Sequence, residues 1–298
     1  MRPRPVDLML LATVVLWALN LAVSRYILLH GFRPLAYSTL RYGAAALVFV
    51  GLTLALERSL RVERRELLRM LAAAALLLLN QFAFVYALDR ATASTVGLIL
   101  GSTPIWAGLV AVLLGVEHLG RRFWLASAVS FAGVGLVAVG AHGELGGDWL
   151  AVLLALATAA TWAAYSVVIA PLMRAHSPVR VSAVVLSLTW AGLLVAGLPQ
   201  TGDQRLDLGW EVWALFAFAV VGPLVLTNVF WYTALGRVGP GRATLAGNLQ
   251  PFVAAVFGVV LLDERLTALQ VLGGTLIAAG ILLAVRRRRP ATPVPQAE

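Results

Sequence analysis

The chain has no cysteine, no lysine and few charged residues of any kind. Only 12% of its 298 residues are charged and 60% are hydrophobic, whereas soluble domains carry about 25% charged and about 45–50% apolar residues. The lack of cysteine excludes disulfides, thiolate nucleophiles and Cys-ligated metals. Because a soluble core cannot bury so much apolar surface, lipid is the expected main solvent.

The chain contains many long apolar segments. A helix needs about 20 apolar residues to cross a hydrocarbon layer of roughly 30 Å, and stretches of that length recur along the chain. The first stretch has no clear small-residue cleavage site, so an uncleaved span is expected there rather than a signal peptide. Ten spans are predicted in two groups, near residues 6–28, 35–56, 66–88, 92–115 and 122–140, then 147–170, 178–199, 211–235, 240–262 and 267–285.

The formal net charge of +9 comes from arginines that flank the spans. This distribution is interpreted as an orientation signal and not as a nucleic-acid-binding surface. Arginine clusters at one set of span ends, including 58–69, 121–122 and 286–289, while the opposite loops hold few arginines. Since cytoplasmic loops accumulate arginine, both termini are expected in the cytoplasm, which requires an even number of spans.

The two groups of spans resemble each other in sequence. Two tandem repeats are therefore predicted, residues 1–141 and 142–286, followed by a disordered cytoplasmic tail at 287–298. Each repeat has an odd number of spans, so the halves are inverted, and inverted halves give two exchangeable conformations with a site between them. The matched pairs include Pro104 with Pro251, Glu117 with Glu264 and Gly133 with Gly280 at a shift of 147 residues, and Trp17 with Trp162 at a shift of 145.

Polar and aromatic side chains within the spans mark the expected site, because polar groups in a membrane need partners or a wet cavity. They are predicted to line one central, aromatic and amide-rich cavity. The alternative is that the amides and hydroxyls only join helices, at around 0.6 kcal/mol each. The candidates are Trp17 and Asn20 in span 1, Gln81 and Phe84 in span 3, Thr103 in span 4, Trp162 and Tyr165 in span 6, Asn228 and Trp231 in span 8, and Asn248 and Gln250 in span 9.

One arginine and two glutamates near span ends are expected to have structural roles. Arg41 lies near the start of span 2, where its long side chain is expected to reach the outer interface, with substrate contact as the alternative. Glu117 and Glu264 precede spans 5 and 10, where a carboxylate can bind the amides of a helix start or pair with Arg121 or Arg265.

Over nearly its whole length the sequence resembles the EamA-like ten-helix members of the drug/metabolite transporter superfamily. The motifs that carry the resemblance are Leu16-Trp17 with Asn20, Arg41-Tyr42, Ala87-Leu88 through Pro104, Gly115-Val116-Glu117, Trp162, Ala234-Leu235, Pro251 and Asp263-Glu264-Arg265-Leu266. Ala18 departs from the pattern, since the family commonly has Gly after the Trp. The resemblance implies an all-α integral membrane protein of the bacterial inner membrane that exports small organic solutes or facilitates their passage.

Acidic and histidine side chains are missing from the interior of the spans, which predicts passage without an obligatory proton site. A neutral, aromatic cavity favours neutral or zwitterionic solutes such as amino acids. Proton- or sodium-coupled export of drugs or nucleosides stays open, as does a non-transporting structural or regulatory role. No catalytic constellation or cofactor motif is present, so the expected partners are a small-molecule solute and the lipid bilayer, without nucleic acid, and the sequence does not predict an oligomeric state.

Overall fold

The structure is a computed structural model that describes residues 5–113, 120–145, 148–234, 237 and 247–285. Within these residues all regular secondary structure is helical, and the principal helices are numbered α1 to α10. A short helix, Leu172–Ala175, lies between α6 and α7. The bounds are Pro5–Leu29 for α1, Pro34–Glu57 for α2, Arg64–Arg90 for α3, Ala93–Leu100 continued by Thr103–Leu113 for α4, Arg121–Leu145 for α5, Trp149–Ile169 for α6, Pro178–Gly202 for α7, Trp210–Ala234 for α8, Gln250–Leu262 for α9 and Ala268–Val285 for α10.

Eight of these helices, α1 to α8, are long and apolar enough to cross a membrane, and α9 and α10 are shorter apolar helices in the described part of the chain. The all-helical membrane fold is therefore confirmed. The count of ten spans, the inverted repeats and the cytoplasmic termini stay predictions. The expected start of span 9 at 240–246, the tail at 287–298 and Glu117 lie outside the described residues.

Helix starts follow local capping signals. The Ser177 hydroxyl accepts the amide of Arg180 at the start of α7, and the Asp148 carboxylate accepts the amide of Leu150 at the start of α6. Such caps satisfy amides that have no partner within the helix. Asp148 also accepts a hydrogen bond from Arg90 at 2.7 Å, and this bond lowers the pKa of the Asp148 carboxyl. The end of α3 is thereby joined to the start of α6.

The helices of the first half pack mainly against helices of the second half. The pairs are α1 with α9, α2 with α7, α3 with α6, α4 with α6 and α9, and α5 with α10. The closest approach joins α5 and α10, where a β-carbon on Gly133 would lie 2.6 Å from the carbonyl oxygen of Gly273. Only glycine allows the two backbones to come so near. The outer surface carries exposed aliphatic side chains such as Leu47, Val195 and Leu282, which suit a lipid environment.

The link between α3 and α4 is held by charged side chains from two other helical regions. Arg25 of α1 donates to the carbonyl oxygens of Leu88 and Asp89, at 2.5 and 2.7 Å, where α3 ends. Glu264, which precedes α10, accepts the first two amides of α4 at 2.7 and 2.8 Å. Each charge faces the helix end of opposite partial charge. Glu264 thus binds a helix start as expected, but the helix is α4 and not α10.

We expect Glu264→Ala to lower the free energy of unfolding by about 1–2 kcal/mol, because it removes an N-terminal cap and a charge that opposes the helix dipole. Thermal unfolding of the detergent-purified protein measures the change. Asp263→Asn is the matched control. Asp263 is the residue before Glu264 and has a φ of 53°, a conformation that asparagine tolerates. Equal unfolding temperatures for the two variants would contradict the assigned cap.

Candidate functional site

Aromatic side chains from α1, α6 and α8 meet inside the bundle. The ring centroid of Trp17 lies 5.7 Å from that of Trp162, edge to face, and 5.1 Å from that of Trp231. Trp162 lies 5.3 Å from Tyr165, whose hydroxyl is 3.1 Å from the hydroxyl of Tyr232. We call these five residues the aromatic cluster. The two tyrosines are buried, whereas the three tryptophans keep part of their surface accessible and can stack on a solute.

The middle of α8 departs from α-helical geometry at Pro223. Residues Val221–Leu226 form a π-helix, in which the amide of Thr227 donates to the carbonyl of Gly222. Proline has no N–H, so the carbonyl of Ala219, four residues earlier, loses its helical donor. The Thr227 amide, which would serve the Pro223 carbonyl in an α-helix, donates to Gly222 instead, so the Pro223 carbonyl also loses its α-helical donor. Both carbonyls need other donors, because lipid supplies none.

Side chains provide both missing donors. The Thr227 hydroxyl donates to the carbonyl of Pro223 at 2.6 Å, and Nε of Arg41 donates to the carbonyl of Ala219 at 3.2 Å. The Thr227 oxygen also accepts the indole N–H of Trp17 at 2.9 Å. The irregular backbone of α8 therefore fixes the orientation of a ring in the aromatic cluster.

A row of buried polar groups continues from the aromatic cluster towards α2. Asn20, which follows Trp17 by three residues on α1, accepts a hydrogen bond from the Ser24 hydroxyl at 3.4 Å. The Ser24 oxygen is 2.8 Å from the hydroxyl of Tyr37, and the guanidinium carbon of Arg41 lies 5.6 Å from the centroid of the Tyr37 ring. We call Asn20, Ser24, Tyr37 and Arg41 the polar strip.

Arg41 does not reach the membrane interface, and the expectation of an interfacial anchor is wrong. Its exposed fraction is 4%. Tyr37, one turn earlier on the same helix, contacts Ser24 of α1 and Phe216 of α8, so Arg41 also lies between these helices. A cation costs up to about 3 kcal/mol within a span on insertion scales, and this upper value applies at the centre. The Ala219 carbonyl and the Tyr37 ring offset part of this cost.

Three predicted site residues have structural partners away from the aromatic cluster. The Gln81 amide donates to Asn80 at 3.1 Å, and Asn80 donates to the carbonyl of Thr158 on α6 at 2.9 Å. Phe84 packs in the hydrophobic core. The Thr103 hydroxyl donates at 2.6 Å to the Leu100 carbonyl, which Pro104 cannot serve. Gln81 and Thr103 bond within their own helices and Phe84 packs in the core, and the roles of these three residues in a solute site stay predictions.

The remaining candidates lie close to the aromatic cluster in the chain. Asn228 precedes Trp231 by three residues on α8. A β-carbon on Gly247 would lie 3.7 Å from the Trp231 ring, which places the turn before α9, with Asn248 and Gln250, beside that tryptophan. All three polar side chains are partly exposed.

The structure thus brings together the predicted residues Trp17, Trp162, Tyr165 and Trp231. It adds Thr227, Ser24 and Tyr37, which sequence reasoning missed. A proline four residues before a threonine inside a span was the available signal for Thr227. Among the described residues, no group of three His, Cys, Asp or Glu side chains could hold a metal ion.

A bundle of apolar helices with aromatic and polar groups between its two halves has the architecture of a membrane transport protein. The model of the EamA-like transporter family matches the chain twice, over residues 4–139 and 149–286. The chain belongs to the EamA-like transporter family. It is a multi-pass inner-membrane transporter of small metabolites, as the sequence predicted.

Named relatives and a solved structure are similar over most of the chain. A "Probable amino-acid metabolite efflux pump" of Salmonella typhimurium is 27% identical over 297 residues, covering 92% of this chain and 93% of the relative. "Uncharacterized transporter YdfC" of Bacillus subtilis is 27% identical over 196 residues, and that match covers 64% of this chain but only 61% of YdfC. A protein of known crystal structure has the same fold, with a TM-score of 0.64, 19% identity, and coverage of 94% of this chain and 96% of that chain.

We expect Thr227→Val to lower the free energy of unfolding by about 1–3 kcal/mol, because it leaves the Pro223 carbonyl without a donor and the Trp17 indole without an acceptor. Thr227→Ser keeps the hydroxyl and should retain most of the stability. Thermal unfolding of the two purified variants distinguishes them. A valine variant as stable as the serine variant would show that neither hydrogen bond contributes.

Proposed function

We propose that this transporter moves amino acids or similar neutral or zwitterionic solutes, by export or facilitated diffusion, through alternating access between two inverted halves. The aromatic cluster carries the proposal. It joins Trp17 of the first half to Trp162 and Trp231 of the second, 5.7 and 5.1 Å away. A solute that stacks on these rings contacts both halves, so its binding is coupled to their relative position.

Helix packing supports the inverted arrangement with repeats at 1–141 and 142–286. Exchanging helices α1–α5 with α6–α10 turns the pair α1 with α9 into α6 with α4, and the pair α3 with α6 into α8 with α1. All of these pairs are in contact. The pairs α2 with α7, α4 with α9 and α5 with α10 are unchanged by the exchange. The two family matches fall on the same division of the chain.

The names of the relatives support amino-acid-like solutes. Besides the Salmonella typhimurium protein, a "Probable amino-acid metabolite efflux pump" of Escherichia coli is 27% identical over 305 residues. A "Probable terminal-alkyne amino-acid exporter" of Streptantibioticus cattleyicolor is 28% identical over 202 residues. Aromatic faces suit an apolar or aromatic side chain, and an alkyne is also an apolar group with π electrons.

The placement of acidic residues supports transport without an obligatory proton site. In the described parts of the chain, Asp, Glu and His lie in links or near helix ends. The buried example is Glu66, in the first turn of α3, whose carboxylate pairs with the imidazole of His176 near the start of α7. Neither residue contacts the aromatic cluster, so the solute gradient is the proposed driving force.

We expect Trp17→Ala and Trp162→Ala each to lower amino-acid counterflow in proteoliposomes by about fivefold, because each removes a stacking face worth about 1 kcal/mol. Trp124→Ala is the matched control, since that tryptophan lies on α5 outside the aromatic cluster and is 50% exposed. Reconstituted amounts are equalised before comparison. Unchanged flux in the two cluster variants would assign these rings to packing alone.

We expect an imposed proton gradient to leave the final internal amino-acid concentration equal to the external one. The measurement is uptake of labelled amino acids into proteoliposomes with and without an inward proton gradient, followed by an ionophore that abolishes it. Concentrative uptake that the ionophore reverses would disprove the uncoupled mechanism. A sodium gradient in place of the proton gradient tests coupling through backbone carbonyls in the same way.

A further inference from the structure

We propose that Arg41 is the anchor for a carboxylate group of the transported solute. This inference rests on the proposed function, since it assigns one end of the amino acid to one residue. Its basis is an unpaired cation inside the bundle, on the polar strip that leads from the aromatic cluster.

Arg41 differs from the other arginines by its partners. Among the described residues, Arg33, Arg90 and Arg180 are examples of arginines that form ion pairs with carboxylates, and none of the pairs includes Arg41. Arg25, which is also buried, donates to two backbone carbonyls. Arg41 makes a single hydrogen bond in the described structure, from Nε to the carbonyl of Ala219. A guanidinium group has five N–H donors and stays charged at any physiological pH.

The two terminal nitrogens of Arg41 border accessible space. Within the described residues, the fully enclosed side-chain polar atoms without a partner are Oγ of Ser38, Oε1 of Gln81 and Nε1 of Trp106. The terminal nitrogens of Arg41 have no hydrogen-bond partner there and are not among these enclosed atoms. They are therefore free to donate to a ligand, although the residue as a whole is 96% buried, since 4% is exposed.

The surroundings of Arg41 favour a carboxylate over other ligands. A carboxylate accepts two parallel hydrogen bonds from the edge of a guanidinium group, with a geometry that a chloride ion or a neutral amide cannot match. A single arginine balances a single negative charge, so a multiply charged anion would stay uncompensated. The hydroxyls of Tyr37 and Ser24, 2.8 Å apart, are bonded to each other, and Ser24 donates to Asn20, so they bring no competing negative charge to Arg41.

Aromatic rings shield Arg41 on the side of the α1–α2 link. Phe32 of that link stacks on Phe216 of α8 with centroids 5.6 Å apart, and Trp213 and Tyr37 pack edge to face against the same rings. Exclusion of water on this side lowers the local dielectric and strengthens an ion pair with a solute. On the opposite side the polar strip leads to the aromatic cluster.

The test compares carboxylic acids with their amides, using leucine with leucinamide and phenylalanine with phenylalaninamide. We expect the parent protein to favour each acid over its amide by at least about tenfold in competition for counterflow, because hydrogen bonds to charged groups account for a factor of this size. Arg41→Gln should abolish this preference by slowing the acids while leaving amide flux within about twofold. Arg41→Lys should keep part of the preference, because the ammonium group retains the charge without the planar fork.

Arg90→Gln is the control, since Arg90 pairs with Asp148 at the protein surface and lies outside the site. Equal flux of acids and amides by the parent, or an equal loss of both in Arg41→Gln, would overturn the assignment of Arg41 while the proposed function stands. No flux of any acid or amide by the parent would overturn the proposed function and the anchor with it. If Arg41→Gln does not fold, the competition experiment on the parent still tests the anchor, because equal flux of acids and amides would overturn it.

Discussion

Every backbone carbonyl within a lipid-embedded helix needs a donor from the protein, and Pro223 breaks this requirement at two places in α8. The carbonyl of Ala219 loses its α-helical donor because proline has no N–H, and the carbonyl of Pro223 loses its own because the Thr227 amide donates to Gly222. Arg41 and Thr227 supply the replacements. Thr227 in turn orients Trp17, so the satisfaction of two backbone groups links α1, α2 and α8 and fixes both ends of the candidate site.

The lengths of the apolar segments predict where the helices lie, and the match between the two groups of spans predicts the pairing of two tryptophans. Helices α1 to α8 begin and end within a few residues of the predicted spans, because a membrane sets the length of an apolar segment. Helix α9 begins at Gln250, whereas span 9 was predicted from residue 240. The pairing of Trp17 with Trp162 was suggested by their equivalent positions in the two repeats, and the rings lie 5.7 Å apart. Boundaries and repeats are properties of the linear sequence, which is why they can be inferred without coordinates.

The contacts that sequence reasoning missed all depend on tertiary packing. Arg41 lies in the first part of α2, as predicted. Its side chain points towards the Ala219 carbonyl, which lacks its α-helical donor and is 178 residues away in the chain. Glu264 precedes α10 and yet binds the start of α4, because the two helix ends meet only in the folded bundle. Thr227 had a local signal, a proline four residues earlier, and it bonds to its own helix, but its contact with Trp17 depends on the packing of α8 against α1.

The two halves are alike in their helix packing but not in chemistry. The shift of 147 residues that aligns them places Leu76 opposite Pro223 and Leu188 opposite Arg41. Among the described residues, the π-helix lies in the second half, and the buried arginines, Arg25 and Arg41, lie in the first half. In a carrier with identical inverted halves, the inward-open and outward-open states would be related by a two-fold rotation and would have equal free energy. Under the proposed mechanism these substitutions lift that degeneracy, so we expect the resting population to be biased towards one side and the half-saturation concentrations on the two faces of the membrane to be unequal.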